Sequence, residues 1–488
     1  MTTTMNSTAT HAPVKPAKPG ARDALNALVD AGSLLEFGAE AKHQCTAFGM
    51  QAKTPAGDAV ITGTAEIDAR PAAVFAQDVS VLGGTLGATH AQKIAQVLDQ
   101  AERARCPVVG VLDSGGARIQ EGVSALDGYA SIFRRNVALS GLVPQISVIL
   151  GACAGGAAYS PALTDLIVMD RQAHMFLTGP KVVRSVTGEE VTAADLGGAH
   201  VHSTTSGLAH LVVEHPEDAF PLVRKVLSYL PSSCWDELPL HLALEPELVP
   251  EVPCEQRKTY DVRQVVRGLV DGDSFLELQP HYAANIVIGF ARLDGMPVGV
   301  VANQPNTLAG TLNAQAAEKG ARFVRMCDAF GLPLVTLVDT PGFLPGRSQE
   351  TDGVIRRGAK LLYAFAEATV PRVTVILRKA YGGAYIVMNS KQLGADRVFA
   401  WPTAEIGVMG AEGAVEIVFR RELAANPGKR QELLENYRAE ALSPALATAR
   451  QAVDALIAPE QTREAIIKVI RPLTRARQPR HRHGNMPQ

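Results

Sequence analysis

Short β-branched runs alternate along this chain with longer stretches whose apolar residues return every three or four positions, and the whole series occurs twice. An extended apolar segment at 73–81 leads through a glycine-bearing turn into a helical pattern at 90–103. An apolar run at 108–113 that ends in Asp, a loop, a helical pattern at 125–140 and a second apolar run at 145–150 follow. The same order returns at 298–302, 316–329, 334–339, 354–368 and 372–377. Period-3.6 stretches between β runs predict βαβ or ββα units around largely parallel sheets, so each series reads as one α/β domain. Each series closes on a glycine pair, Gly155–Gly156 and Gly382–Gly383, followed by helices expected at 157–166 and 385–393.

The spacing between the copies is steady. Leu82 and Leu308, like Asp113 and Asp339, are 226 residues apart; Pro144 and Pro371, like Gly155 and Gly382, are 227 apart. A self-similarity of this length marks a duplicated domain. Residues 21–37 and 261–278 both read as a helix, a turn and a short apolar strand, so the duplication reaches the domain starts. Between the copies, 231–253 holds five prolines in a stretch of weak periodicity, which places the boundary there. The expected organisation is a disordered tail at 1–20, domains at 21–245 and 246–475, and a basic tail at 476–488.

Composition narrows the function classes. With 47% apolar and 20% charged residues over 488, and a formal net charge of −2, the chain is ordinary globular protein in two domains. Nothing in this balance favours nucleic acid or an anionic membrane as a partner. No run approaches the ~18 apolar residues of a membrane span, and the first twenty residues lack a secretory h-region, so a cytoplasmic protein is expected. The six cysteines include no CxxC pair and read as reduced, mostly core thiols. His481 and His483 lack a third ligand nearby and read as part of a solvated basic tail, so no metal is expected.

The glycine pairs carry the chemistry. Glycine lets backbone N–H groups turn outward at close range, and a following helix N-terminus adds positive partial charge; together they stabilise an oxygen that becomes negative during reaction. Two such turns at matching points of a duplication point to two oxyanion sites. No GxSxG, HExxH, GxxxxGK[ST] or helix-opening GxGxxG is present, which takes support from nucleophilic, zinc-hydrolytic and nucleotide-hydrolysing mechanisms.

The strings DSGGARIQEG from Asp113, CAGGAAYS from Cys153, KGARFVRMCDAFGLPLVTLVD from Lys319 and RKAYGGAYIVMNS from Arg378 resemble the carboxyltransferase (β) subunits of biotin-dependent acyl-CoA carboxylases, nearest the propionyl-CoA and acetyl-CoA branch. The resemblance implies two tandem crotonase-like domains of the ClpP/crotonase superfamily, in a homohexamer whose sites lie between the first domain of one subunit and the second of another. It implies a biotin carboxylase/biotin carboxyl carrier α subunit as partner, with biotin as cofactor and an acyl-CoA as substrate. Gly383 and Ala384 would hold the biotin ureido oxygen, and Gly155 and Gly156 the thioester enolate. Ala154, Tyr159, Gly382, Tyr385 and Ile386 would contact substrate. Isoleucine at 386 resembles subunits that accept acetyl, propionyl and butyryl groups. Thr351, Asp352 and Arg357 depart from the Tyr, Gly and His of such relatives. The alternatives are a transcarboxylase or decarboxylase subunit, a biotin-free crotonase-type hydratase or hydrolase using Glu121 or Glu405 as base, and a non-enzymatic scaffold. For both glutamates, helix capping or ion pairing is the competing reading.

Overall fold

Two eight-stranded mixed sheets built on one plan make up the computed structural model, which describes residues 18–246, 248–475 and 482–487. The first sheet contains β1 (Leu35–Phe37), β2 (Val60–Ile67), β3 (Arg70–Gln77), β4 (Val108–Ser114), β5 (Gln145–Ala154), β6 (Leu166–Asp170), β7 (His174–Phe176) and β8 (Leu211–Val213). Their order is β1-β2-β3-β4-β5-β6-β8, with β7 alongside the end of β5. The second sheet repeats this with β9 (Leu276–Leu278), β10 (Ile286–Leu293), β11 (Met296–Asn303), β12 (Leu334–Thr340), β13 (Arg372–Tyr381), β14 (Arg397–Ala400), β15 (Glu405–Gly407) and β16 (Ala455–Leu456). Strands from β3 onward run parallel in the first sheet, and from β11 onward in the second.

The outer strands are antiparallel, and β2 and β10 were not read from the pattern: β2–β3 and β10–β11 are hairpins. Asp294 and Gly295 turn the second with φ of 54° and 77°, and Asp68 and Ala69 turn the first with 51° and 58°. Both residues of such a tight turn need positive φ, which Asp-Gly announces and Asp-Ala conceals.

The central elements fall close to expectation: α1 is Ala21–Leu28, α2 Ala88–Ala104 and α3 Val123–Leu139, with Val262–Leu269, Ala314–Phe330 and Val354–Glu367 as their later counterparts. The helices after the glycine pairs are shorter than expected, α4 at Gly156–Ala162 and its counterpart at Gly382–Val387. The second is stopped by Asn389 in the left-handed region, φ 60°.

One apolar cluster joins the halves, containing Val109 and Val148 of the first sheet with Phe290, Phe323 and Leu334 of the second half. Tyr229 stacks on Phe290 at 5.7 Å, and its hydroxyl donates to Ser274 O at 2.6 Å. Among the described residues, 231–261 holds no helix or strand.

Both expected tails need correction. Residues 1–17 and 476–481 lie outside the described residues, but Lys18 pairs with buried Asp113. Arg482 lies 4.1 Å from the Trp235 ring, His483 Nε2 is 2.8 Å from Asp328 and Asn485 is buried, so 483–485 packs against both halves rather than standing in solvent. Among the described residues the six cysteines form no disulfide, but only Cys106, Cys153 and Cys327 are buried, while Cys254 is exposed; half, rather than most, are core thiols. Among the described residues, no helix is long and apolar enough to cross a membrane.

Candidate active site

Both glycine pairs follow a bulge at the carboxyl end of a central parallel strand. Leu112 pairs with Ile149 and Ser114 with Cys153; Val338 pairs with Ile376 and Thr340 with Ala380. In each case β5 or β13 runs two residues longer than its partner. A bulge breaks the ladder and leaves backbone groups to be satisfied otherwise. Asp113 Oδ1 accepts the Ala152 N–H at 3.1 Å, and Asp339 Oδ1 accepts the Lys379 N–H at 3.1 Å. The aspartates that end the β4 and β12 patterns therefore fix the path into each turn.

The turn itself requires glycine. Gly155 has φ 62° and ψ −128°, and Gly382 has φ 58°, a region in which an L side chain is strained. Gly155 donates its own N–H to Phe176 O at 2.9 Å, so this residue shapes the bend. Gly156 opens α4, and Gly383 and Ala384 lie in the first turn of Gly382–Val387. First-turn N–H groups have no intrahelical acceptor and carry the positive end of the helix dipole.

The two turns differ in their surroundings. A Cβ added at Gly156 would lie 2.7 Å from the Tyr129 ring, whereas one at Gly383 would meet nothing nearer than Phe343 at 3.9 Å. Gly383 is exposed and Ala384 buried. Ala154 and Gly382 are half-buried beside their turns; Tyr159 is exposed and sits edge-on to Phe133. Tyr385 packs against the shared core, and its buried hydroxyl has no partner among the described residues. Ile386 is 48% exposed and so lies outside the core.

Side chains that could compete as bases or nucleophiles are engaged. Glu121 accepts from Arg118 at 2.7 Å and from the Ala88 N–H of α2 at 2.8 Å. Glu405 accepts from the Tyr381 hydroxyl and lies 3.5 Å from Arg438. Burial pushes the Cys153 thiol up to about 12, which keeps it protonated and inert at neutral pH. Two of the departing residues form a network of their own: Arg357 donates to Asp352 at 2.7 Å and to Glu318 at 2.8 Å, and Lys360 donates to Glu318 at 2.7 Å.

Sequence reasoning did not assign the clamping role of Asp113 and Asp339, although their equal offset was the available signal. It also missed Tyr129 beneath Gly156, Phe343 beside Gly383, and Arg378, whose Nε donates to Asp339 Oδ2 at 2.9 Å. These are tertiary contacts between separate elements that no local pattern carries.

A family model for the carboxyl transferase domain matches residues 16–486. The propionyl-CoA carboxylase carboxyltransferase subunit of Haloferax mediterranei is 52% identical, covering 96% of this chain and 93% of that protein. The propionyl-CoA carboxylase beta chain of Saccharopolyspora erythraea is 50% identical, covering 96% and 90%. Among solved structures, the transcarboxylase 12S hexamer with methylmalonyl-coenzyme A and methylmalonic acid bound superposes with a TM-score of 0.92 at 48% identity, covering 96% of this chain and 92% of that one.

Proposed function

This chain belongs to the carboxyl transferase family, as a carboxyltransferase of the propionyl-CoA carboxylase type, and we propose that its two glycine turns divide one carboxyl transfer between them. The observation that carries the proposal is the recurrence of one device in both halves: a bulge clamped by aspartate, a glycine near φ 60°, and a helix opening on the next residues.

In this reading the first-turn N–H of Gly156, aimed by the Gly155 bend, holds the thioester oxygen of a short-chain acyl-CoA as its α-carbon loses a proton. The N–H groups of Gly383 and Ala384 hold the ureido oxygen of biotin as carboxybiotin, arriving as substrate on a partner's carrier domain, releases CO2. Biotin N1′ takes the α-proton and the enolate attacks CO2, so the residues described need supply no side-chain base. That requirement fits the engagement of Glu121 and Glu405 in capping and ion pairing. The open approach to Gly383 fits a substrate that must reach backbone. Tandem crotonase-like domains at 21–245 for acyl-CoA and 246–475 for biotin complete the assignment.

The proposed assembly is a hexamer with a biotin-bearing α partner, as the transcarboxylase 12S relative assembles as a hexamer. Exposed Val123, Leu126, Ile355, Tyr363 and Val408 favour burial of both faces by further copies. The fold neighbour that is a transcarboxylase keeps a second direction in view: the same half-reaction run toward another acceptor.

The test is transfer from methylmalonyl-CoA to free biotin, followed by bicarbonate fixation with the biotin-bearing partner. Gly383→Val and Gly156→Val should each lower transfer about 100-fold or more, because the added side chain bars the reacting oxygen from the backbone N–H, and losing one oxyanion contact costs about 3 kcal/mol. Near-normal turnover in both would sink the assignment.

A further inference from the structure

We infer that Lys18, from the segment ahead of α1, is the positioning residue of the first glycine turn and does there what Arg378 does for the second. The inference rests on the reading of Gly155–Gly156 as the acyl-CoA oxyanion turn.

In the second half the tie is built from the strand outward. Arg378, fully buried in the β13 bulge, donates through Nε to Asp339 Oδ2 at 2.9 Å. Its Nη1 donates to Glu255 O at 2.9 Å and Lys258 O at 2.8 Å, and Tyr260 donates its hydroxyl to Asp339 Oδ2 at 2.9 Å. The segment just before the helix Val262–Leu269 is thereby bound to the aspartate that clamps the bulge. Asp339 thus has a counter-charge where the strand turns toward Gly382.

The first half lacks that arginine. The residue 227 positions before Arg378 is Gly151, and a Cβ there would fall on Asp113 Oδ1 and Lys18 Nζ. The Lys18 ammonium occupies the space that a side chain at 151 would need, and it pairs with Asp113 Oδ2. Lys18 lies three residues ahead of α1, much as Lys258 and Tyr260 precede the helix Val262–Leu269. The tie therefore joins the same two places with its polarity exchanged: the cation comes from the segment and not from the strand.

The consequence reaches the turn. The Asp113 side chain is 7% exposed, and a buried carboxylate that loses its counter-ion is strongly destabilised. It must then take a proton or turn toward solvent, and turning away removes the acceptor of the Ala152 N–H, three residues before Gly155. Burial holds the Lys18 ammonium below its ordinary pKa, and Asp170, which also faces it, acts against that by favouring the charged form.

The experiment uses the full chain with Lys18→Met and Lys18→Arg, read by hydrogen exchange of 150–157 and 377–384 and by transfer from methylmalonyl-CoA to biotin. Lys18→Met should exchange about tenfold faster at 150–157 with 377–384 unchanged, and lose about tenfold in kcat with the KM for biotin unchanged. Lys18→Arg should restore both to within about threefold. Unchanged protection at 150–157 in Lys18→Met overturns the inference whatever the activity. Faster exchange with wild-type turnover upholds the tie and overturns instead the catalytic reading of this turn.

Discussion

Gly156 and Gly383 stand at the same step of the repeat and were read from the sequence as equivalents, yet one rests on the Tyr129 ring and the other opens outward. The glycine pairs were legible because the first residue of each takes a positive φ, which selects glycine from the sequence itself. Their neighbours were not, because the ring under Gly156 comes from α3, 27 residues earlier. Ile386 shows the same division. Its type was readable, but its 48% exposure was not. An apolar side chain there suits an apolar acyl tail, so Ile386→Asp should narrow acceptance among acetyl-, propionyl- and butyryl-CoA. The change in kcat/KM ratio between acetyl- and propionyl-CoA should be about tenfold or more, corresponding to the 1–3 kcal/mol that one methylene carries. An unchanged ratio would remove Ile386 from the acyl pocket.

At the scale of elements, strands β4, β5, β12 and β13 were anticipated nearly to the residue at their starts, while the extensions of β5 and β13 past their bulges were not. Apolar alternation marks where a strand is buried, and it fades where the strand twists out of the ladder to present a turn. The energetic weight of that exit falls on buried ion pairs. Arg378 and Asp339 are both fully buried, and removing one partner strands the charge of the other. Arg378→Met should therefore cost about 3–5 kcal/mol, measured as a shift of the denaturant midpoint, and should release 253–260 to proteolysis. A loss below about 1 kcal/mol would show that Asp339 does not depend on this cation.

Over the whole molecule, the halves share a core and a polar seam. Asp165, buried at that seam, accepts from the Gln145 N–H at 2.9 Å and from Asn485 Nδ2 at 3.1 Å. Burial outweighs these bonds and the nearby Arg322, raising its pKa from 3.8 to about 6. The folded state thus holds this proton to higher pH than the unfolded chain. The group's contribution to stability is largest below pH 3.8 and is lost as pH rises through about 6. Asp165→Asn should remove that slope and raise the thermal midpoint at pH 8, by an amount equivalent to as much as about 3 kcal/mol. The Asn485 amide can turn its otherwise unpartnered Oδ1 to the new donor. A pH dependence between 4 and 6 identical to wild type would place the titration elsewhere. What the sequence alone determined is the duplication, the order of strands and helices, the two glycine turns and the family, since each is written in local periodicity, in backbone conformation or in long matching strings. Only the tertiary structure decided which charges meet. Lys18 finds Asp113 across 95 residues and Asn485 finds Asp165 across 320, and such partners are chosen by how the sheets pack, which no local pattern records.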